Sequence, residues 1–428
     1  MKILVVGGGG REHALVWKIR QHPEVEEIFC APGNPGIAAL ADCLPIDPTS
    51  LVELADFAEK LRIDLTVVGP ELPLTMGIVD EFLKRGLRIF GPTSAAAEIE
   101  GSKAFAKEFL ARHKIPTAAS QTFTSAPEAL TYLQSSDVSY PVVLKVDGLA
   151  AGKGVLVAPD SKAAGAFATD VMEGHKHGHA GDRLIIEEFL QGVEASFFVL
   201  SDGKRVVPLV ACQDYKQLGD GDTGPNTGGM GTVSPPAVMD QETFARTMQE
   251  IILPTISGLD AEGRTYRGLL YAGLMITEAG PKVLEFNARF GDPETQVLMP
   301  RLQSDLVDPM MASAEGRLQD VKLDWRREAC ACVVLASGGY PGPYEKGLPI
   351  TGLDQADALD GIQVFHSGTR MEGDQLLTQG GRVLGVTALG ADLPAALAQA
   401  YQAVRLIQFQ GKTFRRDIGY RSGRSSAT

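Results

Sequence analysis

Within the first hundred residues, four short apolar runs alternate with stretches of helical periodicity, and this alternation favours parallel βαβ units. The runs are Ile3–Val6, Glu27–Cys30, Leu65–Val68 and Arg88–Phe90, separated by helical patterns at Arg11–Arg20, Leu51–Leu61 and Ile78–Arg85. Gly91-Pro92-Thr93 breaks the pattern and places a boundary near residue 100. A helix is expected at Ser102–His113, then an extended segment from Ile115 to Phe123. From Pro127 to about Leu190 the chain reads as a small α/β unit, with strands at Pro141–Asp147, Val155–Val157 and Leu184–Glu188 and a helix at Ala163–Met172. A larger mixed unit follows, with strands at Ala195–Leu200, Val206–Ala211, Leu269–Ile276 and Lys282–Phe286. The remainder carries strands at Ala331–Leu335, Gln363–His366 and Val383–Leu389 and a helix at Pro394–Ile407; the polar tail Arg421–Thr428 is expected to fray. No internal repeat is visible. The expected organisation is therefore α/β with α+β parts, in units of about 1–100, 101–325 (with a subdomain near 124–190) and 326–428.

Composition narrows the partners. A net charge of −13 argues against a nucleic-acid backbone as partner, although local basic pockets for small anions stay open. No apolar stretch reaches membrane-spanning length. Five cysteines without metal-type spacing, and a chain that begins directly on a strand, point to reduced thiols in the cytoplasm. Small molecules are the expected partners, and a monomer or weak homodimer the expected assembly.

The most telling segment is Val283-Leu-Glu-Phe-Asn-Ala-Arg-Phe-Gly-Asp-Pro-Glu-Thr-Gln296. Glu285 and Asn287 sit two apart near the end of a strand run, so their oxygens share a face and can converge on one hard cation. A core strand ending in a polar turn would explain the apolar residues but not Glu, Asn and Arg289 at successive same-face positions. The opening Gly7-Gly8-Gly9-Gly10 joins a strand to a helix, where a phosphate is well placed. A dinucleotide fingerprint competes poorly, because Glu12 fills its third glycine position and no acid follows Phe29-Cys30-Ala31. Asn34 and Glu71 follow the second and third strands, at the edge that lines ligand crevices in open α/β sheets.

Lys145 lies on a strand just before the small-residue loop Gly148–Gly154, a pairing that suits a polyphosphate; the loop is no Walker A, since Gly154 follows Lys153. Ile185–Glu194 could hold a base at a hinge, although packing explains it better from residue chemistry alone. The long polar stretch from Gln213 to Gly231, with Asp214, Lys216, Asn226 and Thr227 among glycines, favours a binding loop. His175, His177 and His179 lie among Gly and Lys without a partnering acid, and are read as a solvated loop.

The order of these parts resembles the ATP-grasp superfamily and, more narrowly, its phosphoribosylamine–glycine ligase family. Three stretches carry the likeness: Asp147–Gly154, Asp222–Gly231 and Arg289–Gln296. The resemblance implies an ATP-grasp fold behind a Rossmann-like N-terminal domain and before a C-terminal mixed-sheet domain. It implies that Lys103, Lys145, Gly148, Gly152, Lys153 and Gly154 contact ATP phosphates. Glu187, Phe189 and Leu190 would hold adenine and Glu194 the ribose. Glu285 and Asn287 would bind Mg²⁺ or Mn²⁺. Gly8, Gly9, Gly10, Asn34, Asp214, Lys216, Asn226, Thr227, Gly228, Gly229, Met230, Arg289, Gly291, Asp292, Pro293 and Glu294 would surround phosphoribosylamine and glycine, with Arg289 and Lys145 as candidate catalytic groups. Many ATP-grasp enzymes add an acidic metal ligand from the preceding strand; here Tyr271–Met275 reads as apolar. The implied chemistry is attack of a glycine carboxylate on the γ-phosphate, then displacement of phosphate from glycyl phosphate by the amine. Related ligases using another acid, a nicotinamide oxidoreductase and a non-catalytic nucleotide sensor are the competing readings.

Overall fold

The computed structural model describes residues 1–148, 154–174 and 182–420. The N-terminal strands form an all-parallel sheet in the order Asp42–Cys43, Glu27–Pro32, Lys2–Gly7, Leu65–Val68, Ile89–Phe90. Successive strands go to opposite sides of Lys2–Gly7, so a crevice opens at its carboxyl end. Gly7–Gly10, Gly33–Asn34 and Gly69–Glu71 gather there. Alternate residues of the first strand serve different cores: Leu4 and Val6 face one cluster, Ile3 and Val5 another.

Both of those cores continue into the central antiparallel sheet, ordered Val206–Pro208, Val193–Asp202, Arg267–Thr277, Gly280–Asn287. Phe197, Leu270 and Phe286 pack on one side with Leu4 and Val6, Phe198 and Leu269 on the other with Ile3 and Val5. Burying both faces of a sheet in this way welds the N-terminal and central layers together. By contrast, the sheet Ser120–Phe123, Leu184–Glu188, Val142–Val146, Val155–Ala158 has its own small core around Leu144, Ala164 and Ile186.

The C-terminal sheet runs Gln213–Asp214, Gly231–Ser234, Ala329–Ala336, Arg382–Gly390, Ile362–His366. Two of its strands come from residues 213–234, so the polar stretch singled out in the sequence is built onto the last sheet of the chain. The helix Leu393–Leu406 covers it through Ala396, Ala400 and Val404.

Most expected elements appear within a few residues, and the departures have simple causes. The expected strand Val206–Ala211 closes at Pro208, beyond which contact with Val193–Asp202 continues as the Leu209 N–H bond to the Phe198 carbonyl and a bridge between Ser196 and Cys212. Of the extended segment, Ser120–Phe123 forms a strand and Thr117 makes a single parallel bridge to Val283. Helices at 241–261, Thr295–Arg301 and Val307–Glu315 had not been anticipated. The first had a legible stripe, since Ile251, Ile252, Ile256 and Leu259 are its buried face. Thr295–Arg301 is buried all round, which erases any amphipathic signal.

Candidate active site

The strand Gly280–Asn287 does not alternate cleanly. Gly273 pairs with Glu285 but Leu274 pairs with Val283, so Leu284 is an extra residue in the ladder. Val283 and Phe286 both face the core. Strict alternation from Val283 would bury Glu285; the bulge returns Glu285 and Asn287 to the open face. There they line a cleft of about 520 Å³ between the central and 120–188 sheets. Gly273 leaves room opposite, since a Cβ there would lie 3.3 Å from Glu285 Cγ.

One end of the cleft is a lysine–glutamate cluster with apolar walls. Lys145 and Glu187 come from neighbouring antiparallel strands, and Lys145 Nζ lies 3.0 Å from Glu187 Oε1 and 3.1 Å from the Leu284 carbonyl. Lys107 Nζ lies 3.1 Å from Glu187 Oε2 and donates to Thr117 Oγ1 at 2.9 Å. Lys107 is only 8 % exposed and Glu187 3 %. Burial pulls the Lys107 ammonium down to about 8, against the opposing pull of Glu187. Lys103 donates to the Gly148 carbonyl at 2.7 Å and reaches the same space. Val143, Val155, Phe189, Leu190 and Met275 supply apolar walls. This suits a base and its phosphates.

The other end is dense in charge. Asp214 and Lys216 flank Tyr215, and the chain folds back so that Thr227 N–H donates to the Lys216 carbonyl and Met230 N–H to the Tyr215 carbonyl, both at 2.8 Å. Lys216 Nζ lies 3.4 Å from Glu194 and 3.7 Å from Glu285. Burial alone would lower the Lys216 ammonium, but Glu194 and Glu285 raise it well above its ordinary range. Burial likewise opposes the charged form of Glu285, yet Lys216, Lys145 and Lys103 hold that carboxyl below its usual value. Asp214 is raised well above, by burial and then by the negative charge of Glu294. Arg289 is fixed between Glu71 at 3.2 Å and Glu100 at 3.1 Å. Glu294 accepts from Tyr271 Oη at 2.7 Å and from Ser196 Oγ at 3.3 Å.

The structure therefore brings together Lys103, Lys145, Gly154, Glu187, Phe189, Leu190 and Glu194 with Asp214, Lys216, Asn226, Thr227 and Gly228, and also Glu285, Asn287, Arg289, Asp292 and Glu294. Other expected residues support this lining from behind. Gly8 and Gly10 pack closely, since a Cβ would meet the Gly33 carbonyl and Ser367 Oγ at 2.4 and 2.5 Å. Gly9 N–H is taken by the Glu12 carboxylate at 2.6 Å, which occupies the helix terminus proposed for a phosphate. Asn34 spends its amide on the carbonyls of Gly8 and His366 and its oxygen on Ile37 N–H, so it ties the N- and C-terminal regions together. Met230 is fully buried, and Pro293 packs on Gly229, where a Cβ would be 2.5 Å away. Gly291 gives Glu294 its space: a Cβ there would lie 2.3 Å from Oε2. Gly152, Lys153, His175, His177, His179 and the tail Arg421–Thr428 lie outside the described residues.

Sequence reasoning missed Arg11, Glu100, Lys107, Tyr271 and Arg382, which also line the cleft. Lys107 was findable, one helical turn beyond Lys103 on the same face. Arg382 had no local signal. It enters from the C-terminal sheet, and its Nη1 donates to the carbonyls of Gly228 at 2.6 Å and Asp292 at 2.7 Å. A second cluster of metal-ligand type among the described residues, His22 with Asp305 and Asp308, is a helix cap: Asp305 accepts the N–H groups of Val307 and Asp308.

Glu285 and Asn287 fit a divalent cation: both offer hard oxygen atoms on one face, beside the lysines that would attend phosphates.

Three family models match most of the chain. Residues 1–100, 101–295 and 330–421 match the N, ATP-grasp (A) and C domains of phosphoribosylglycinamide synthetase. The chain belongs to the phosphoribosylglycinamide synthetase family. It is 53 % identical to a phosphoribosylamine–glycine ligase of Pseudomonas aeruginosa over 425 residues, covering 99 % of this chain and 98 % of the relative. The ligase of Escherichia coli K12 is 52 % identical, with 99 % of each chain covered. Among solved structures, the phosphoribosylamine–glycine ligase of Thermotoga maritima superposes with a TM-score of 0.82 at 32 % identity, over 98 % of this chain and all of that one. A Campylobacter jejuni biotin carboxylase shares the fold alone, with a TM-score of 0.74 at 16 % identity over 96 % and 92 % of the two chains. The chain is thus an ATP-grasp enzyme of mixed helix and strand. The nicotinamide reading falls with this assignment.

Proposed function

We propose that this chain joins glycine to phosphoribosylamine, converting ATP to ADP and phosphate and yielding glycinamide ribonucleotide for purine synthesis. The observation that carries the reading is one cleft with an apolar, lysine-lined end and a charge-rich end, divided by Glu285 and Asn287. Family membership over the full chain supports it.

In this reading ATP lies with its base between Val143, Phe189 and Leu190, and its phosphates near Lys103 and Lys145. Gly148, Gly152, Lys153 and Gly154 cover the phosphates, and Glu194 serves the ribose. A divalent ion, Mg²⁺ or Mn²⁺, held by Glu285 and Asn287 would supply charge neutralisation at the β- and γ-phosphates. A glycine carboxylate oxygen attacks the γ-phosphorus, the bond to the β-phosphate oxygen breaks, and ADP leaves. The phosphoribosylamine nitrogen then attacks the glycyl carbonyl carbon; phosphate leaves and the nitrogen sheds a proton. Lys145 and Arg289 offset charge on the transferring group, and Asp214, Lys216 and Asn226–Met230 with Gly291–Glu294 enclose the two smaller substrates. No side-chain nucleophile is needed, so the contribution of the chain is positioning and exclusion of water from an acyl phosphate.

The same reading takes residues 1–100, 101–325 and 326–428 as domains and places the enzyme in the cytoplasm as a monomer or weak homodimer, acting on small molecules without nucleic acid or membrane. No helix among the described residues is long and apolar enough to cross a membrane.

The test is a coupled assay with ATP, magnesium, glycine and freshly made phosphoribosylamine, scored for amide product. ADP release that depends on formate or bicarbonate in place of glycine would overturn the substrate assignment. ATP binding without substrate-dependent phosphate release would mark a sensor instead.

A further inference from the structure

Among the described residues, Arg415 is the largest side chain with no solvent exposure, and it lies more than thirty residues along the chain from every residue of the cleft. Its guanidinium donates four hydrogen bonds. Nε and Nη2 grip Asp417 at 2.8 and 2.7 Å, while Nη1 donates to Asp222 Oδ1 at 2.7 Å and to the Gln217 carbonyl at 3.2 Å. The group also lies over the Tyr215 ring, 5.0 Å from its centre. Neighbouring backbone extends the grip: Arg416 N–H donates to Asp220, Gly221 N–H to Asp417, and Gly419 N–H to Tyr215 Oη.

What is gripped is a two-stranded hairpin, Gln217–Gly219 with Thr223–Asn226, that joins no larger sheet. Its second strand is exposed throughout. A lone two-stranded hairpin is marginal in water, and this one also holds Asp222 at a φ of +51°, a left-handed conformation that needs support. Asp214 and Lys216 lead into it, and Asn226 to Gly228 lead out of it along the cleft wall. A buried arginine is a costly way to gain stability, because burying its charge offsets much of the attraction it makes. Its fixed fork of donors does specify one geometry.

We propose that Arg415 is a positioning residue for the charge-rich end of the cleft: by clasping the 217–226 hairpin and the Tyr215 ring, it sets the placement of Asp214, Lys216 and Asn226. The C-terminal segment 415–419 thereby orders a binding surface that it never touches. This inference rests on the placement of glycine and phosphoribosylamine at that end.

The experiment measures KM for ATP, glycine and phosphoribosylamine in the full-length enzyme, comparing wild type with Arg415→Met, Arg415→Lys and Lys216→Ala. Arg415→Met should raise KM for glycine, phosphoribosylamine or both by about tenfold, the worth of a charged hydrogen bond, with KM for ATP within about twofold. Arg415→Lys should fall between, since it keeps charge but loses the fork. All three KM values unchanged in folded Arg415→Met, or a lower kcat that merely follows the folded fraction, would overturn the proposal. If Arg415→Met does not fold, Asp222→Asn at the hairpin tip is read in the same way, with a rise of about threefold expected and no rise counting against it. Lys216→Ala separates the two layers. If it leaves glycine and phosphoribosylamine KM unchanged, the placement of those substrates has failed, and the positioning role fails with it. If it raises them while the Arg415 variants do not, only the clasp is wrong.

Discussion

The two ends of the cleft are built by opposite strategies. At the proposed nucleotide end, Lys103, Lys107, Lys145 and Glu187 come from one helix and two adjoining strands; Lys107 and Lys145 share the Glu187 carboxylate, and Lys103 donates to the Gly148 carbonyl. At the charge-rich end, proposed for the smaller substrates, Asp214, Lys216, Arg289, Asp292, Glu294 and Arg382 come from distant stretches of chain and are held by loops, a bulge and the last sheet. The first is a local apparatus that carries its own geometry. The second exists only once the C-terminal sheet has formed around residues 213–234. A shared phosphate-handling fold can therefore keep one end constant while the other is rebuilt for different acceptors.

The boundary between the ends should give the largest effect. Glu285→Ala removes the charged oxygen donor that both ends face, and turnover should fall about a thousandfold or more with the fold intact. Normal rates in that variant with ample magnesium would erase the division. Next in size is Arg382→Ala, which leaves Asp292 without its cationic partner at 3.4 Å. The expected loss is about hundredfold in kcat/KM for glycine or phosphoribosylamine, with ATP affinity kept. An equal loss for ATP would show that the ends are not separable. Lys107→Met probes the converse. KM for ATP should rise about tenfold and KM for glycine stay put, because Glu187 loses one of its two lysines.

The smallest effect concerns the junction of the N- and C-terminal regions. His13 Nδ1 accepts from His366 N–H at 2.8 Å, and burial depresses His13 to about 3 and His366 to about 4. Neutral imidazole is the folded form, so this stability is complete above the unfolded value near 6.5. It is lost as pH falls from there towards 4 and then 3, by up to ~1.4 kcal/mol per unit for each ring. Urea midpoints between pH 7 and 5 should drop less steeply in His13→Asn than in the wild type. Parallel slopes would show that the junction does not sense protons.

Much of this was legible in advance. The βαβ alternation of the first hundred residues survives into a parallel sheet because both of its faces are buried, which writes continuous apolar runs into the sequence. The place of Lys145 in the cleft was legible for a similar reason: a strand lysine beside a small-residue loop is a local pattern. Asn34 misled, because an amide in a glycine-rich turn reads alike whether it faces a ligand or caps a helix. The all-round burial of Thr295–Arg301 hid a helix, and Arg382 had nothing nearby to mark it.

By itself the sequence determined which residues could carry the chemistry, since strand periodicity, turn glycines and charge spacing act over a few residues. It also determined the parallel start of the fold and the carboxylate–carboxamide pair at 285 and 287. Only the tertiary structure decided that the pair faces outward, because one extra residue at Leu284 reverses the alternation that Val283 sets. It alone decided that residues 213–234 pair with a sheet completed some 150 residues later, and that Arg382 and Arg415 act there. Such contacts depend on long-range register and on where buried charges find partners, and neither is encoded in any short window of chain.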